Sequence, residues 1–268
     1  MTQKKKKTQP TVKKPFLRGA VTDHATGKGV AGFFGMLAVM ALLYLLLGSM
    51  MAWGNALLRW FFNLALIAAA LLIFYQSGMT RGAGDVNQGE MMYDREQAGR
   101  TVSDQERAAC YHPAKGIVIA LLGSLPFLIA TVVFALLAQK QYTSIGVLPS
   151  WVSALETREE ISAPLAFYAV VPPLTAEQLL RILIRVITLP WVNLIAPYGA
   201  DVLLTFERLT PLVLLLPALC YGFGYFRGTE VRDEVHTSIA ANTRQRQRRD
   251  QRRRRQRQAQ PKGPQQLN

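Results

Sequence analysis

The chain has 268 residues, half of them hydrophobic, and its 31 Lys and Arg against 17 Asp and Glu give a net charge of +14. Four stretches carry no charged residue, namely 29–58, 60–80, 116–139 and 209–226. Apolar runs of this length are typical of transmembrane helices and exclude an ordinary soluble domain. The sequence therefore predicts an all-α integral membrane protein, a polytopic bundle of four transmembrane helices, with six as the alternative count.

Both ends of the chain are basic. Residues 1–28 contain eight Lys or Arg and one Asp, and they show no apolar periodicity. We therefore expect a disordered arm there. Residues 227–268 contain twelve Lys or Arg and four Asp or Glu. Because positively charged flanks remain in the cytoplasm, both termini are expected on that side of a plasma membrane, with a bacterial one fitting best.

A transmembrane hairpin is predicted over residues 29–76, with spans over about 30–53 and 57–75. Only residues 54–56 separate the two spans, which indicates a tight turn. Arg59 is expected to extend its charged group to the membrane–water interface, where Trp53 and Trp60 are also expected to lie.

The segment 77–115 is hydrophilic and is predicted to be a cytoplasmic loop with two short helices, over 88–98 and 104–110. Ser103 stands three positions before Glu106, which is the spacing of a capping box at a helix start.

The third span is predicted over 116–139, and it leads to an extracytoplasmic region over 140–208. Prolines interrupt this region, which predicts a helix over 176–189 that ends before Pro190. Residues 186–200 suit a re-entrant or interfacial segment better than a span. A single additional span here would place the basic tail outside, so the charge rule favours four or six crossings.

The helix over 176–189 is amphipathic. Glu177, Arg181, Arg185 and Thr188 follow one another at steps of four, four and three, so they share one face. In one interpretation, Arg181 and Arg185 clamp a phosphate or a lipid headgroup at the outer leaflet. In the other, Glu177 pairs with Arg181 and both arginines simply extend to the interface.

The last span is predicted over 209–226, and the polybasic tail follows it. Residues 244–257 contain nine Arg and one Asp. The tail can set the topology, bind anionic lipid at about 1 kcal/mol per residue, bind RNA or the ribosome through phosphates, or bind an acidic protein. The candidate contact residues in the two arms are Lys4, Lys5, Lys6, Lys7, Arg252, Arg253, Arg254 and Arg255.

Catalytic and cofactor motifs are missing from the sequence. It contains neither an HExxH zinc motif nor a GxxxxGK[ST] phosphate loop, and its three histidines are far apart. The four uncharged stretches contain no side chain of the kind that ion-coupled carriers use to bind their ion. We therefore expect no cofactor, no metal and no enzymatic activity.

Two functions follow from these patterns. The favoured one is a non-enzymatic scaffold or accessory subunit of a membrane complex, whose basic arms bind anionic lipid headgroups or a protein partner. RNA or the ribosome is a further candidate for the tail. The alternative is a transporter or channel component whose outer vestibule attracts anions through Arg181 and Arg185.

Overall fold

The computed structural model describes residues 12–138 and 176–259. Within them the chain forms eight α-helices and no strand, which confirms the predicted all-α class. The helices are α1 (Thr26–Met50), α2 (Ala56–Gln97), α3 (Asp104–Ala108), α4 (Lys115–Leu137), α5 (Ala176–Ile187), α6 (Leu189–Ile195), α7 (Ala200–Phe226) and α8 (Gly228–Ala259).

Four helical segments are long and apolar enough to cross a bilayer, as the sequence predicts. They are α1, α2, α4 and the continuous helix Asp201–Arg253 that joins α7 to α8. The pair α5 and α6 is bent by 94°, and it would add a fifth crossing if it were one broken span. Pro190 in the first turn of α6 lacks an N–H group, so it cannot donate the backbone hydrogen bond that would extend α5.

Local capping sets two of the helix starts. The Oδ1 atom of Asn55 accepts hydrogen bonds from the backbone N–H groups of Leu57 and Leu58, at 3.0 and 3.4 Å, and so begins α2. Ser103 and Glu106 form a capping box at α3, which confirms that prediction.

Helix α2 is longer than predicted. The sequence predicts a span that ends near residue 75 and a separate helix over 88–98, but a single helix of 42 residues covers both. Residues 76–97 contain four glycines and no proline. Glycine weakens a helix without breaking it, so packing against a neighbour can keep this segment helical.

Glycines let α2 and α7 approach at backbone distance. A Cβ atom on Gly78 would lie 2.1 Å from the carbonyl oxygen of Tyr221, and one on Gly82 would lie 2.2 Å from that of Tyr225. A Cβ atom on Gly224 of α7 would likewise lie 2.0 Å from the carbonyl oxygen of Tyr75. This contact is the small-residue packing common between membrane helices, and it supports α2 beyond the predicted span.

The predicted disordered arm differs from the structure over residues 12–28. Thr26 begins α1, and the preceding residues are hydrogen-bonded to the rest of the chain. The backbone N–H of Leu17 donates to the carbonyl of Gly89 at 3.1 Å, and that of Gly19 donates to Tyr111 at 2.9 Å. Residues 1–11 lie outside the described ranges.

Helix α7 begins at Ala200, nine residues before the predicted start of the last span. Glu207 therefore lies inside the helix, and its side chain is only 4% exposed. A buried carboxylate needs a cation partner, and Arg185 of α5 supplies one. This partner is 22 positions away in the sequence, so the sequence pattern predicts the boundary of the span after the charge of Glu207.

The apolar core lies where α1, α2, α4 and α7 meet. Phe33 of α1 packs against Phe74 of α2 and Tyr221 of α7, with ring centroids 5.4 and 5.2 Å apart. Helix α7 packs along both α2 and α4, whereas α1 packs mainly against α4. As a result, α1 and α2 move apart with increasing distance from the turn that joins them.

Candidate interaction site

The extension of α2 and the beginning of α8 are joined by a buried polar cluster, which we call the latch and define as Asn87, Glu90, Arg232 and His236. Glu90 and His236 are 5% and 9% exposed. The Nε2 atom of His236 lies 2.7 Å from Oε1 of Glu90. The other carboxylate oxygen, Oε2, accepts from both Nε and Nη2 of Arg232 at 3.0 Å.

The latch satisfies each charged group that it buries. Arg232 also donates to the Oδ1 atom of Asn87, one turn before Glu90 on α2. The two hydrogen bonds that Arg232 donates to the Glu90 carboxylate are charge-assisted and offset the desolvation of that carboxylate. Within residues 12–138 and 176–259, no third side chain completes a metal site with Glu90 and His236. The side chains of Glu90, Arg232 and His236 join α2 to α8 directly.

The N-terminal segment closes over the same pair of helices. The backbone N–H of Val12 donates to the hydroxyl of Thr237 at 3.0 Å. Phe16 meets the ring of Tyr111 edge-on, with centroids 5.9 Å apart. Gly89 has no side chain to obstruct this segment, since a Cβ atom there would lie 2.7 Å from the carbonyl of Leu17. The described parts of the two basic arms therefore lie at the same end of the bundle.

A buried ion cluster lies between the latch and the apolar core. The Nζ atom of Lys115 is 2.9 Å from Oδ2 of Asp23 and 3.7 Å from Oδ2 of Asp85. The hydroxyl of Tyr225 donates to the same Asp85 oxygen at 2.6 Å. Burial raises the pKa of Asp23, but hydrogen bonds from Thr26 and the ammonium of Lys115 outweigh it and lower that pKa overall.

Beyond the latch, α8 projects as an exposed polybasic helix. Every residue from 242 to 253 is exposed, and this segment contains six Arg and one Asp. Arg244, Arg248 and Arg252 follow one another at four-residue steps and share a face. Like charges at this spacing repel each other, so a polyanion bound along the helix would relieve the repulsion.

The structure describes the side chains of only some of the candidate contact residues in the two basic arms. Arg252 and Arg253 lie on the exposed surface of α8. Arg254 and Arg255 belong to the same helix, but their side chains lie outside the described part of the structure. Lys4, Lys5, Lys6 and Lys7 also lie outside the described residues.

Arg181 and Arg185 come together at Glu207. Arg185 donates to Oε1 of Glu207 from Nη2 at 2.6 Å and from Nε at 3.0 Å. The Nε atom of Arg181 is 3.9 Å from Oε2, and its guanidinium lies 5.6 Å from the ring centroid of Phe134. The phosphate clamp stays a prediction. Its alternative, a pair with Glu177, falls on a side chain outside the described set.

Sequence reasoning missed the latch. From the sequence alone, His236 is an isolated histidine and Glu90 is predicted to lie on a separate short helix. The available signal was the spacing, since Asn87 and Glu90 are three apart and Arg232 and His236 are four apart. Each pair therefore shares a helix face. That spacing does not reveal that the two faces meet.

Comparison of the chain with protein-family models, with curated proteins and with solved structures finds no match.

Proposed function

We propose that this chain is a multi-pass membrane protein with both termini in the cytoplasm. In this proposal it is a non-enzymatic accessory subunit that holds a polyanionic partner on its polybasic helix. The observation that carries the proposal is the exposed, Arg-rich end of α8, held by the latch on the extension of α2. A helix fixed at its base presents its charges in one direction, which lowers the entropy cost of binding.

The topology is supported by the position of the two arms. The hydrogen bond from Val12 to Thr237 brings both basic ends to the same end of the bundle. That arrangement fits an even number of crossings, with the positive flanks on the cytoplasmic side of a bacterial plasma membrane.

The direction of α8 favours a partner in the aqueous phase over the lipid surface. Residues 242–253 stand 16 to 27 positions after Phe226 on one continuous helix. At 1.5 Å per residue this places their charges about 24 to 40 Å beyond the end of the span. Electrostatic attraction is screened within about 8 to 10 Å at physiological salt, so most of these arginines lie too far from anionic headgroups.

The composition of the tail indicates how the partner is held. No aromatic residue follows Phe226, so stacking on nucleic-acid bases is unavailable. The arginines can instead form bidentate contacts with phosphates or carboxylates, which are salt-sensitive and independent of sequence. The partner is therefore a polyanion in this proposal, either an RNA or an acidic protein surface.

The test compares two variants that lose the same charge. In one, Arg248, Arg249, Arg252 and Arg253 are replaced by Gln. In the other, Lys4, Lys5, Lys6 and Lys7 are replaced by Gln. The full-length proteins are placed in neutral phosphatidylcholine nanodiscs, and their binding to single-stranded RNA and to polyglutamate is measured over a range of salt concentrations.

We expect the arginine variant to reduce the slope of log affinity against log salt by about 3, since each phosphate contact contributes about 0.7 for a single strand. The lysine variant should retain most of the slope. Equal losses in both variants would indicate an effect of net charge alone, and unchanged binding in the arginine variant would contradict the proposal. Which probe binds more tightly decides between RNA and an acidic protein.

A further inference from the structure

A cleft of about 560 Å³ opens between α1 and α2 near the end of the bundle where the basic arms lie. On the α1 side, Gly29, Gly32, Phe33 and Met36 line it. These residues follow the three- and four-residue spacing of a single helix face. At the outer end of the cleft, nearest the basic arms, Gly29 lies against Arg81 and Gly32 leaves open space. The larger apolar side chains line the deeper part of the cleft.

The α2 side of the cleft has the same gradient of polarity. Ile73 lines the deep end, and Gln76, Ser77, Thr80 and Arg81 follow it towards the outer end. These positions again share one helix face. The apolar interior of the cleft is complementary to the acyl chains of a phospholipid, and its polar, cationic mouth is complementary to an anionic headgroup.

Arg81 provides the charge at the mouth. Its Nε–H is buried and has no hydrogen-bond partner among the described residues. The nearest carboxylate on its own helix, Asp85, is engaged by Tyr225 and Lys115. The guanidinium lies against α1, where a Cβ atom on Gly29 would come within 2.9 Å of Nη2. A partly buried cation that has no carboxylate partner in the described part of the chain is complementary to an anion from outside the chain.

The depth of Arg81 corresponds to the phosphate level of a bilayer. It follows Leu57, near the first turn of α2, by 24 residues, or about 36 Å of helix. The hydrocarbon core of a bilayer is about 30 Å thick and its headgroup region extends several Å further, so Arg81 falls among the headgroups. Ile73, at about 24 Å by the same measure, falls within the acyl chains.

We propose that this cleft binds one anionic phospholipid of the leaflet that faces the basic arms. Its phosphate contacts Arg81, and an acyl chain lies along Met36 and Ile73. The site requires that the helices span a membrane, but it does not depend on a partner for the polybasic helix. The lipid would fill the space where α1 and α2 diverge.

The experiment counts the lipid molecules that the full-length protein retains. The protein is reconstituted into phosphatidylcholine vesicles with a minor share of phosphatidylglycerol, extracted in mild detergent at high salt, and analysed by native mass spectrometry. The wild-type chain should retain one phosphatidylglycerol. R81Q should reduce its occupancy at least about tenfold, as expected for the loss of a charge-assisted contact. R59Q, at the opposite end of the same span, should retain it.

A second pair of variants tests the cleft without changing any charge. G32L fills the cleft, and G35L adds the same side chain to α1 outside it. A Cβ atom at either position meets no atom within 4 Å, so both variants are expected to fold. Only G32L should lose the lipid. Equal retention by R81Q and the wild type would overturn the proposal, as would displacement of the lipid by inorganic phosphate, which would indicate a small-anion site.

Discussion

Glu90 and His236 are 146 positions apart in the chain, and their side chains meet at 2.7 Å in a buried contact between α2 and α8. Arg232 shares the same carboxylate. This contact ties the first part of α8 to the extension of α2, in addition to the helical continuity of α8 with α7.

Replacing Glu90 by Ala should release the base of α8. The change leaves Arg232 and His236 without their shared acceptor, and loss of one partner of a buried pair is strongly destabilising. Because Arg232 is partly exposed, we expect a local cost of about 1 to 3 kcal/mol. Hydrogen exchange of the backbone amides over 228–240 measures it. E106Q removes an exposed charge that pairs with Arg95 and should leave this exchange unchanged. Unaltered protection in the Glu90 variant would contradict the latch.

The two glycines Gly82 and Gly84 should respond in opposite ways to alanine. A Cβ atom on Gly82 would lie 2.2 Å from the carbonyl of Tyr225, whereas one on Gly84 meets nothing within 4 Å. We expect Gly82→Ala to destabilise the protein by about 1 to 3 kcal/mol through overpacking. Gly84→Ala should stabilise it by about 0.5 to 1 kcal/mol through helix propensity. Thermal unfolding in mild detergent compares them, and equal shifts would argue against close contact of α2 and α7.

Removal of Asp23 should reduce the sensitivity of the protein to acid. The pKa of Asp23 is lowered in the folded chain, although burial alone would raise it, because Thr26 and Lys115 stabilise the carboxylate. Its stabilisation is therefore complete above the ordinary aspartate pKa of about 3.9 and is lost as the pH falls below that value. Asp23→Asn should flatten the dependence of the melting temperature on pH in this range. An unchanged slope would show that Asp23 does not contribute.

The pair of Arg185 and Glu207 should be strongly coupled. Arg185→Gln leaves the buried Glu207 carboxylate with Arg181, at 3.9 Å, as its cation partner among the described residues, so we expect a loss of about 3 kcal/mol. Adding Glu207→Gln removes that uncompensated charge and should recover part of the loss. A double-mutant cycle measured by thermal unfolding gives the coupling, and additive effects of the two changes would contradict a direct ion pair.

The sequence alone determined the features that depend on one segment at a time. Run length and hydrophobicity decide whether a helix can cross a bilayer, so the four apolar helices could be predicted and are present. The capping box at Ser103 is equally local, because its partner Glu106 is three residues away. The excess of positive charge at both ends is a property of composition.

Only the tertiary structure decided which distant groups meet. The extension of α2 through its glycines, the inclusion of Glu207 in α7 and the latch each depend on a partner far along the chain. Helix spacing shows which residues share a face, but it does not show which face of another helix they meet. The cleft beside Arg81 exists for the same reason: α1 packs on α4 and α2 on α7, which leaves a gap between two helices that are adjacent in sequence.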